Sequence, residues 1–329
     1  MNRKLRLLSL ILVLILAFGM TSCAKEEPAS TSMEVNKEVV EEPAEEPATE
    51  EPAAETEANV VEEKVMAYFA NMPDHIYKIG QKDFLDMVKA GEDITILDIR
   101  SEKDYSESHV KGAFNLPWGT AISDNLSKIP NDKPVFVYCY TGQTAGQAVA
   151  TLNVAGFNAR SVNLGWNLGI STVEGYDEVA ETTVNALSDD VTEINSDVQI
   201  ALDDYYSGLN AVADTKYKNY KISEDGLKEM VDSEDDSIYV LSVRSEKDYL
   251  EGHIKGASNI PWGKGMEQQF STLPMDKTIV VYCYTGQTAG QTVAGLRLLG
   301  YDAVSLNGGM GMEPNAPYGW SNKGFEVVK

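Results

Sequence analysis

A chain of 329 residues exceeds one average domain and sets an expectation of two. Its 43% hydrophobic and 24% charged residues are those of ordinary globular protein and argue against a fibre or a multi-span membrane protein. The formal net charge of -24 excludes nucleic acid as a partner, because phosphate binding needs a clustered basic surface, and three cysteines are too few for a disulfide framework.

Residues 1–23 read as an export signal: a basic start (Arg3, Lys4, Arg6), an apolar run from Leu7 to Phe18, and small residues before Cys23. The run is shorter than the roughly 20 residues a stable transmembrane helix needs, which predicts cleavage. Met20-Thr21-Ser22-Cys23 resembles the lipobox of bacterial lipoproteins, with Met20 in place of the usual leucine. The resemblance implies lipidation of Cys23, attachment to the cell membrane through that lipid only, and extracytoplasmic domains. Residues 24–70 follow as an acidic spacer with repeated Glu-Glu-Pro-Ala units, such as Glu41 to Ala44 and Glu45 to Ala48. Proline removes backbone donors and like charges repel, so this stretch is expected to be extended and disordered.

Residues 71–176 are the first predicted domain. Helix-spaced apolar residues predict a helix over 81–89, and β-branched runs predict buried strands at 95–99 and 135–138. A helix is expected over 144–155, closed by Gly156. Residues 177–216 form a connector, read as helical from the spacing of Val184, Leu187, Val191 and Ile194. The second predicted domain, residues 217–329, repeats the plan. Ser223 caps a helix over 224–231, strands fall at 238–243 and 278–282, and a helix over 288–299 is closed by Gly300. The repetition is literal in places: Leu97 to Gly119 recurs as Leu241 to Gly263, and Tyr138 to Gly146 as Tyr282 to Gly290 at the same offset. Copies this long are domains and not solenoid units, whose periods are roughly 20 to 50 residues. Strands alternating with helices imply an α/β fold, each domain a parallel sheet flanked by helices on both faces.

Each copy places a cysteine, Cys139 or Cys283, at the end of a buried strand, followed by Tyr-Thr-Gly-Gln-Thr and the first turn of a helix. A helix N-terminus and inward-pointing N–H groups stabilise an anion, which favours the thiolate and makes the sulfur a nucleophile. Gly142 and Gly286 allow the tight turn, and Thr141, Thr144, Thr285 and Thr288 add hydroxyl donors. The same cradle suits a persulfide, Cys-S-S⁻, and covalent catalysis in two half-reactions.

Asp98-x-Arg100, the stretch Glu107-x-His109-Val110-x-Gly112-Ala113-x-Asn115-Leu116-Pro117, and a strand ending in Cys139 together resemble the rhodanese superfamily. With the second copy, the resemblance covers about residues 75–176 and 218–329. It implies a sulfurtransferase with Cys139 and Cys283 as persulfide-forming nucleophiles. Tyr140, Thr141, Gly142, Gln143 and Thr144, and likewise Tyr284, Thr285, Gly286, Gln287 and Thr288, are then the substrate-binding loops, supported by Asp98, Arg100 and Arg244. It further implies a small sulfur donor such as thiosulfate, a thiophilic acceptor such as cyanide or a thiol, and no metal or organic cofactor. Two departures stand out. Many rhodaneses carry Arg or Lys in the loop to bind an anionic donor, and neither loop here does, so the resemblance does not extend to a thiosulfate preference. Copy two has Ser242 where copy one has Asp98, which leaves Arg244 without the partner expected for Arg100.

Other readings of these residues are weaker. A cysteine phosphatase needs a longer cradle with an arginine, whereas Ala145 and Ala289 close these loops. His109 and His253 read as hydrogen-bonded turn residues, since a thiolate held by a helix N-terminus needs no base. Trp118 and Trp262 wall the pocket entrance or fill ordinary core. Three histidines and two widely spaced cysteines do not make a metal site. The alternative function is a non-catalytic binding or sulfur-carrier module.

Overall fold

The structure is a computed structural model that describes residues 59–187 and 191–329; the expected export signal, Cys23 and the spacer up to residue 58 lie outside the described residues. The first half contains, in chain order, α1 (Val60–Ala70), β1 (Lys78–Ile79), α2 (Gln81–Ala90), β2 (Thr95–Asp98), α3 (Glu102–Glu107), β3 (His109–Val110), β4 (Phe114–Asn115), α4 (Thr120–Ser123), β5 (Val135–Tyr138), α5 (Gln143–Val154), β6 (Ala159–Val162) and β7 (Ala180–Glu181). The second contains α6 (Ser196–Ser207), β8 (Lys221–Ile222), α7 (Glu224–Asp232), β9 (Ile238–Ser242), α8 (Glu246–Glu251), β10 (Ser258–Asn259), β11 (Thr278–Tyr282), α9 (Gln287–Leu298) and β12 (Ala303–Leu306).

Each half is built on a five-stranded sheet, in the orders β1-β6-β5-β2-β4 and β8-β12-β11-β9-β10. All neighbours within these sheets are parallel. Successive side chains of a strand point to opposite faces, so a strand covered on both sides must be apolar throughout. In β5, Val135 and Val137 enter a core shared by both halves, while Phe136 and Tyr138 enter an outer core with Phe84 and Leu85 of α2. In β11, Ile279 and Val281 face the shared core, while Val280 and Tyr282 face an outer core with Leu227 and Met230 of α7. The expected strands and their following helices are therefore present, with ends displaced by a residue or so.

Two expectations are corrected. Residues 60–70, assigned to the disordered spacer, form α1, whose cap Asn59 accepts the N–H groups of Val61 and Glu62. Its Phe69 packs edge-on against Phe270 at 5.0 Å and Trp262 at 5.8 Å, so α1 is held by the second half of the chain. Among the described residues the connector's α-helix starts at Ser196, where Asn195 caps α6, with a single 3-10 turn at Tyr176–Val179 before it. Of the residues whose spacing suggested a helix, Val184 and Val191 are 73% and 80% exposed, whereas Leu187 and Ile194 pack against the shared core. Helix α6 in turn packs on the first half: Tyr206 meets Trp118 at 5.5 Å and shares a hydrogen bond with Thr151. Both tryptophans are thus packing residues, each under the helix that precedes the other domain.

Helices α5 and α9 cross in the shared core, close to their N-termini. A Cβ on Gly146 would lie 2.2 Å from the Gln287 carbonyl oxygen, and one on Gly290 would lie 2.4 Å from that of Gln143. These atoms are backbone and cannot swing aside. Gly146→Ala and Gly290→Ala are each expected to cost roughly 1–3 kcal/mol by overpacking. Urea unfolding followed by circular dichroism checks this: the midpoint falls while the denaturant slope holds.

Candidate active site

Cys139 follows β5 and lies in the mouth of α5. Its Sγ accepts the N–H of Gly142 at 3.2 Å and of Ala145 at 3.4 Å. Cys283 Sγ accepts the N–H of Gly286 at 3.1 Å. Gly142 and Gly286 sit at φ +90, in the left-handed region that gives glycine its advantage, and this turn aims the N–H groups at sulfur. Each loop rests on a second turn, at Gly165 in the first half and Gly309 in the second. A Cβ on Gly165 would meet the Cys139 carbonyl at 2.4 Å, and one on Gly309 the Cys283 carbonyl at 2.6 Å. Trp166 and Met310 then donate their N–H to those same carbonyls, both at 2.7 Å. Both sulfurs are buried but directed to the rim of the sheet, with cysteine side chains 2% exposed.

The loop residues divide into three groups. The tyrosines turn away from sulfur: Tyr140 donates its hydroxyl to Asp104 at 2.5 Å and accepts the Ser101 N–H at 3.1 Å. Tyr284 does the same with Asp248 and Ser245. Hydrogen bonds from the cap serine and this tyrosine hold both aspartates below the usual carboxylate range. The glutamines, expected to bind substrate, reach into the opposite half. Gln143 Nε2 donates to Ser305 Oγ at 2.7 Å and to the Leu306 carbonyl at 2.9 Å. Gln287 Nε2 donates to Ser161 Oγ at 2.6 Å. Of the threonines, Thr285 and Thr288 line the wall of a pocket beside Cys283, together with Tyr284 and Gln287.

That pocket, about 490 Å³, is shared between the halves. Cys283, Thr285, Thr288 and Met312 line it from the second, and Lys78 and Gln81 from the first. Burial pulls the Lys78 ammonium below the usual lysine range, and negative charge on Cys283 opposes that. Lys221 has the mirrored relation to Cys139. The sequence reading passed over both lysines, although Tyr77-Lys78-Ile79 and Tyr220-Lys221-Ile222 repeat between the copies.

The supporting residues differ as their sequences do. Arg100 and Asp98 are 3% and 0% exposed and form a forked pair, with Nε donating to Oδ1 at 3.0 Å and Nη2 to Oδ2 at 2.6 Å. The guanidinium also donates to the Ser108 carbonyl at 2.7 Å and stacks 4.1 Å from the Trp166 ring centre. Arg100 is therefore fully used inside the fold, behind the loop. Arg244 keeps the carbonyl contact, to Gly252, but meets only the Ser242 hydroxyl, at 3.4 Å from its backbone N–H. Its Nε has no partner among the described residues, and Met310 stands where Trp166 stands in copy one. His109 is buried, its ring nitrogens facing the Tyr105 and Thr183 carbonyls at 2.6 and 3.0 Å; His253 faces the Tyr249 carbonyl. Neither reaches sulfur. Among the described residues no group of His, Cys, Asp and Glu could hold a metal ion, and no helix is long and apolar enough to cross a membrane.

The Rhodanese-like domain profile matches residues 80–170 and 223–311. The chain is 28% identical over 81 residues to the probable adenylyltransferase/sulfurtransferase MoeZ of Mycobacterium tuberculosis, covering 24% of this chain and 21% of that protein. It is 32% identical over 83 residues to the thiosulfate sulfurtransferase GlpE of Coxiella burnetii, covering 25% of this chain and 76% of that protein. The chain thus spans about a fifth of the first relative and three quarters of the second. A crystal structure of a thiosulfate sulfurtransferase from Pseudomonas aeruginosa aligns with 20% identity and a TM-score of 0.30, over 76% of this chain and 46% of that one.

Asp98→Ser is expected to destabilise the first half by about 3–5 kcal/mol, because it leaves the Arg100 charge buried and unpaired. Ser242→Asp, supplying the missing carboxylate to Arg244, is expected to raise stability. Urea midpoints of the two variants against wild type check both signs.

Proposed function

This chain belongs to the rhodanese family, with a rhodanese-like domain in each half, and we propose that it is a sulfurtransferase whose Cys139 and Cys283 carry sulfane sulfur as persulfides. The observation that carries this reading is the cradle of backbone N–H groups on each sulfur, from Gly142 and Ala145 on Cys139 and from Gly286 on Cys283. Preorganised donors of this kind stabilise negative charge without reorganising during reaction. The thiolate attacks the outer sulfur of a donor such as thiosulfate; a new S–S bond forms, the donor's S–S bond breaks, and sulfite leaves with the electron pair. The persulfide, still anionic, keeps the same N–H groups. A thiophilic acceptor, cyanide or a thiolate, then takes the terminal sulfur and restores the thiolate. The name of the Coxiella burnetii relative, a thiosulfate sulfurtransferase, supports this donor class.

We further propose that the domains work outside the cell membrane, tethered by lipid on Cys23; this rests on the basic start, apolar run and Met-Thr-Ser-Cys of residues 1–23.

Incubation with thiosulfate, followed by digestion and mass measurement, is expected to show one added sulfur atom on each cysteine peptide. Cys139→Ser and Cys283→Ser each lose one of the two. Wild type that gains no sulfur from thiosulfate or from any of several other sulfane donors defeats the reading. A palmitate analogue is expected to label the wild type and not Cys23→Ala; equal labelling of both defeats the anchor.

A further inference from the structure

Neither Tyr-Thr-Gly-Gln-Thr loop contains a cation, and an anionic donor entering such a site meets only N–H and hydroxyl dipoles from its own domain. The fold supplies what the loops lack from across the domain boundary. Lys78 leads the edge strand β1 of the first half, yet it lines the pocket of Cys283, in the second. Lys221 leads the edge strand β8 of the second half, and charge on Cys139 acts on it. Lys78 is in register with Ser161, whose hydroxyl is bound by Gln287 from the Cys283 loop. Lys221 is in register with Ser305, whose hydroxyl is bound by Gln143 from the Cys139 loop. Each lysine thus sits one strand over from the serine to which the opposite loop is hydrogen-bonded.

We propose that Lys78 is the anion-binding residue of the Cys283 site and Lys221 that of the Cys139 site, so that each sulfurtransferase centre is completed by the other domain. The ligand class is an anionic sulfane-sulfur donor such as thiosulfate. The proposal rests on the sulfurtransferase reading above and names the group that recognises its donor.

The backbone before each lysine supports a placed residue over an incidental one. Ile76 and Tyr77 have φ of +45 and +56, and Asn219 and Tyr220 have φ of +60 and +51. Four non-glycine residues in the left-handed region, two ahead of each lysine, carry a conformational cost that the surrounding packing must offset. Tyr77 and Tyr220 are pinned by hydroxyls that donate to the carbonyls of Tyr68 and Tyr205. Burial pulls each lysine below the usual range, and negative charge on the cysteine across from it opposes that pull.

The two sites are not equivalent. Gln81, which lines the Cys283 pocket, is matched in the second half by Glu224. Glu224 is 4% exposed, accepts the Gly319 N–H at 2.7 Å, and exerts its charge on Lys221. Identical loops therefore face different fields: a lysine alone at Cys283, and a lysine offset by a carboxylate at Cys139. Donor thiosulfate is expected to load Cys283 the more readily of the two.

The test compares Lys78→Met and Lys221→Met in the full chain, with Lys78→Arg as the conservative variant. Each cysteine is alkylated in parallel by iodoacetate, an anion, and by iodoacetamide, its neutral counterpart; in both, sulfur displaces iodide. Rates are read peptide by peptide by mass. Lys78→Met is expected to lower the iodoacetate-to-iodoacetamide ratio roughly 10- to 100-fold at Cys283 and leave it unaltered at Cys139. Lys221→Met is expected to do the reverse with a smaller factor, and Lys78→Arg to hold the wild-type ratio. Thiosulfate loading follows the same crossed pattern. An unaltered ratio at Cys283 in Lys78→Met, or a fall at Cys139 instead, overturns the assignment. Should wild type accept no sulfur from any donor, the sulfurtransferase reading fails, and the alkylation ratios still decide the lysines. Lys78→Gln replaces the methionine variant if that one does not fold.

Discussion

The close crossing of α5 and α9 is the constraint on which the rest of the molecule depends. Gly146 and Gly290 let each helix backbone approach the carbonyl oxygen of the glutamine that opens the other. At that separation the glutamine side chains reach the facing sheet and bond Ser305 and Ser161. The two loops are thereby fixed against the opposite domains, and the edge strands carrying Lys78 and Lys221 come to lie beside them. Helices α1 and α6, each packed on the half it does not precede, close the shared core around the crossing. A side chain at either glycine would separate all of these contacts together.

This arrangement assigns different tasks to near and distant residues. Each sulfur is met locally, by N–H groups within six positions of the cysteine. What distinguishes the two sites is remote from the loops. Behind the first, Asp98 and Trp166 hold Arg100 from two sides; behind the second, Arg244 has no carboxylate, its backbone N–H meeting the Ser242 hydroxyl and its guanidinium lying 5.6 Å from the Tyr282 ring centre. In front, Gln81 accompanies Lys78 whereas Glu224 accompanies Lys221. Firmer structural support belongs to the Cys139 site, and the lysine accompanied by a neutral glutamine to the Cys283 site.

Much of the fold was legible because its core strands are covered on both faces and so read as unbroken apolar runs. Val135–Tyr138 is an example in which the expected and observed ends coincide. The edge strands were not legible: Lys78–Ile79 and Lys221–Ile222 are two residues long, too short for any period, and exist because a neighbouring strand offers them a register. Helix α1 was hidden in a charged context, since its acidic face resembles the spacer and its apolar face has meaning only against Phe270 and Trp262. In the connector the error ran the other way. The helical spacing of Val184, Leu187, Val191 and Ile194 did not place the helix, which among the described residues starts at Ser196; of the four, Leu187 and Ile194 pack against the core while Val184 and Val191 stand exposed.

By itself the sequence determined the cradle around each cysteine, because a cysteine, a glycine and a helix start within six residues interact whatever the rest of the chain does. It also determined the asymmetry of Asp98 and Ser242, since each sits two residues from its arginine and the pairing is local. Only the tertiary structure decided what the loop glutamines and the two lysines do. Gln287 and Ser161 are 126 residues apart, and nothing in either neighbourhood specifies the other. Their meeting follows from how two sheets pack across one helix crossing, which also brings Lys78 of the first half to the pocket of Cys283 in the second.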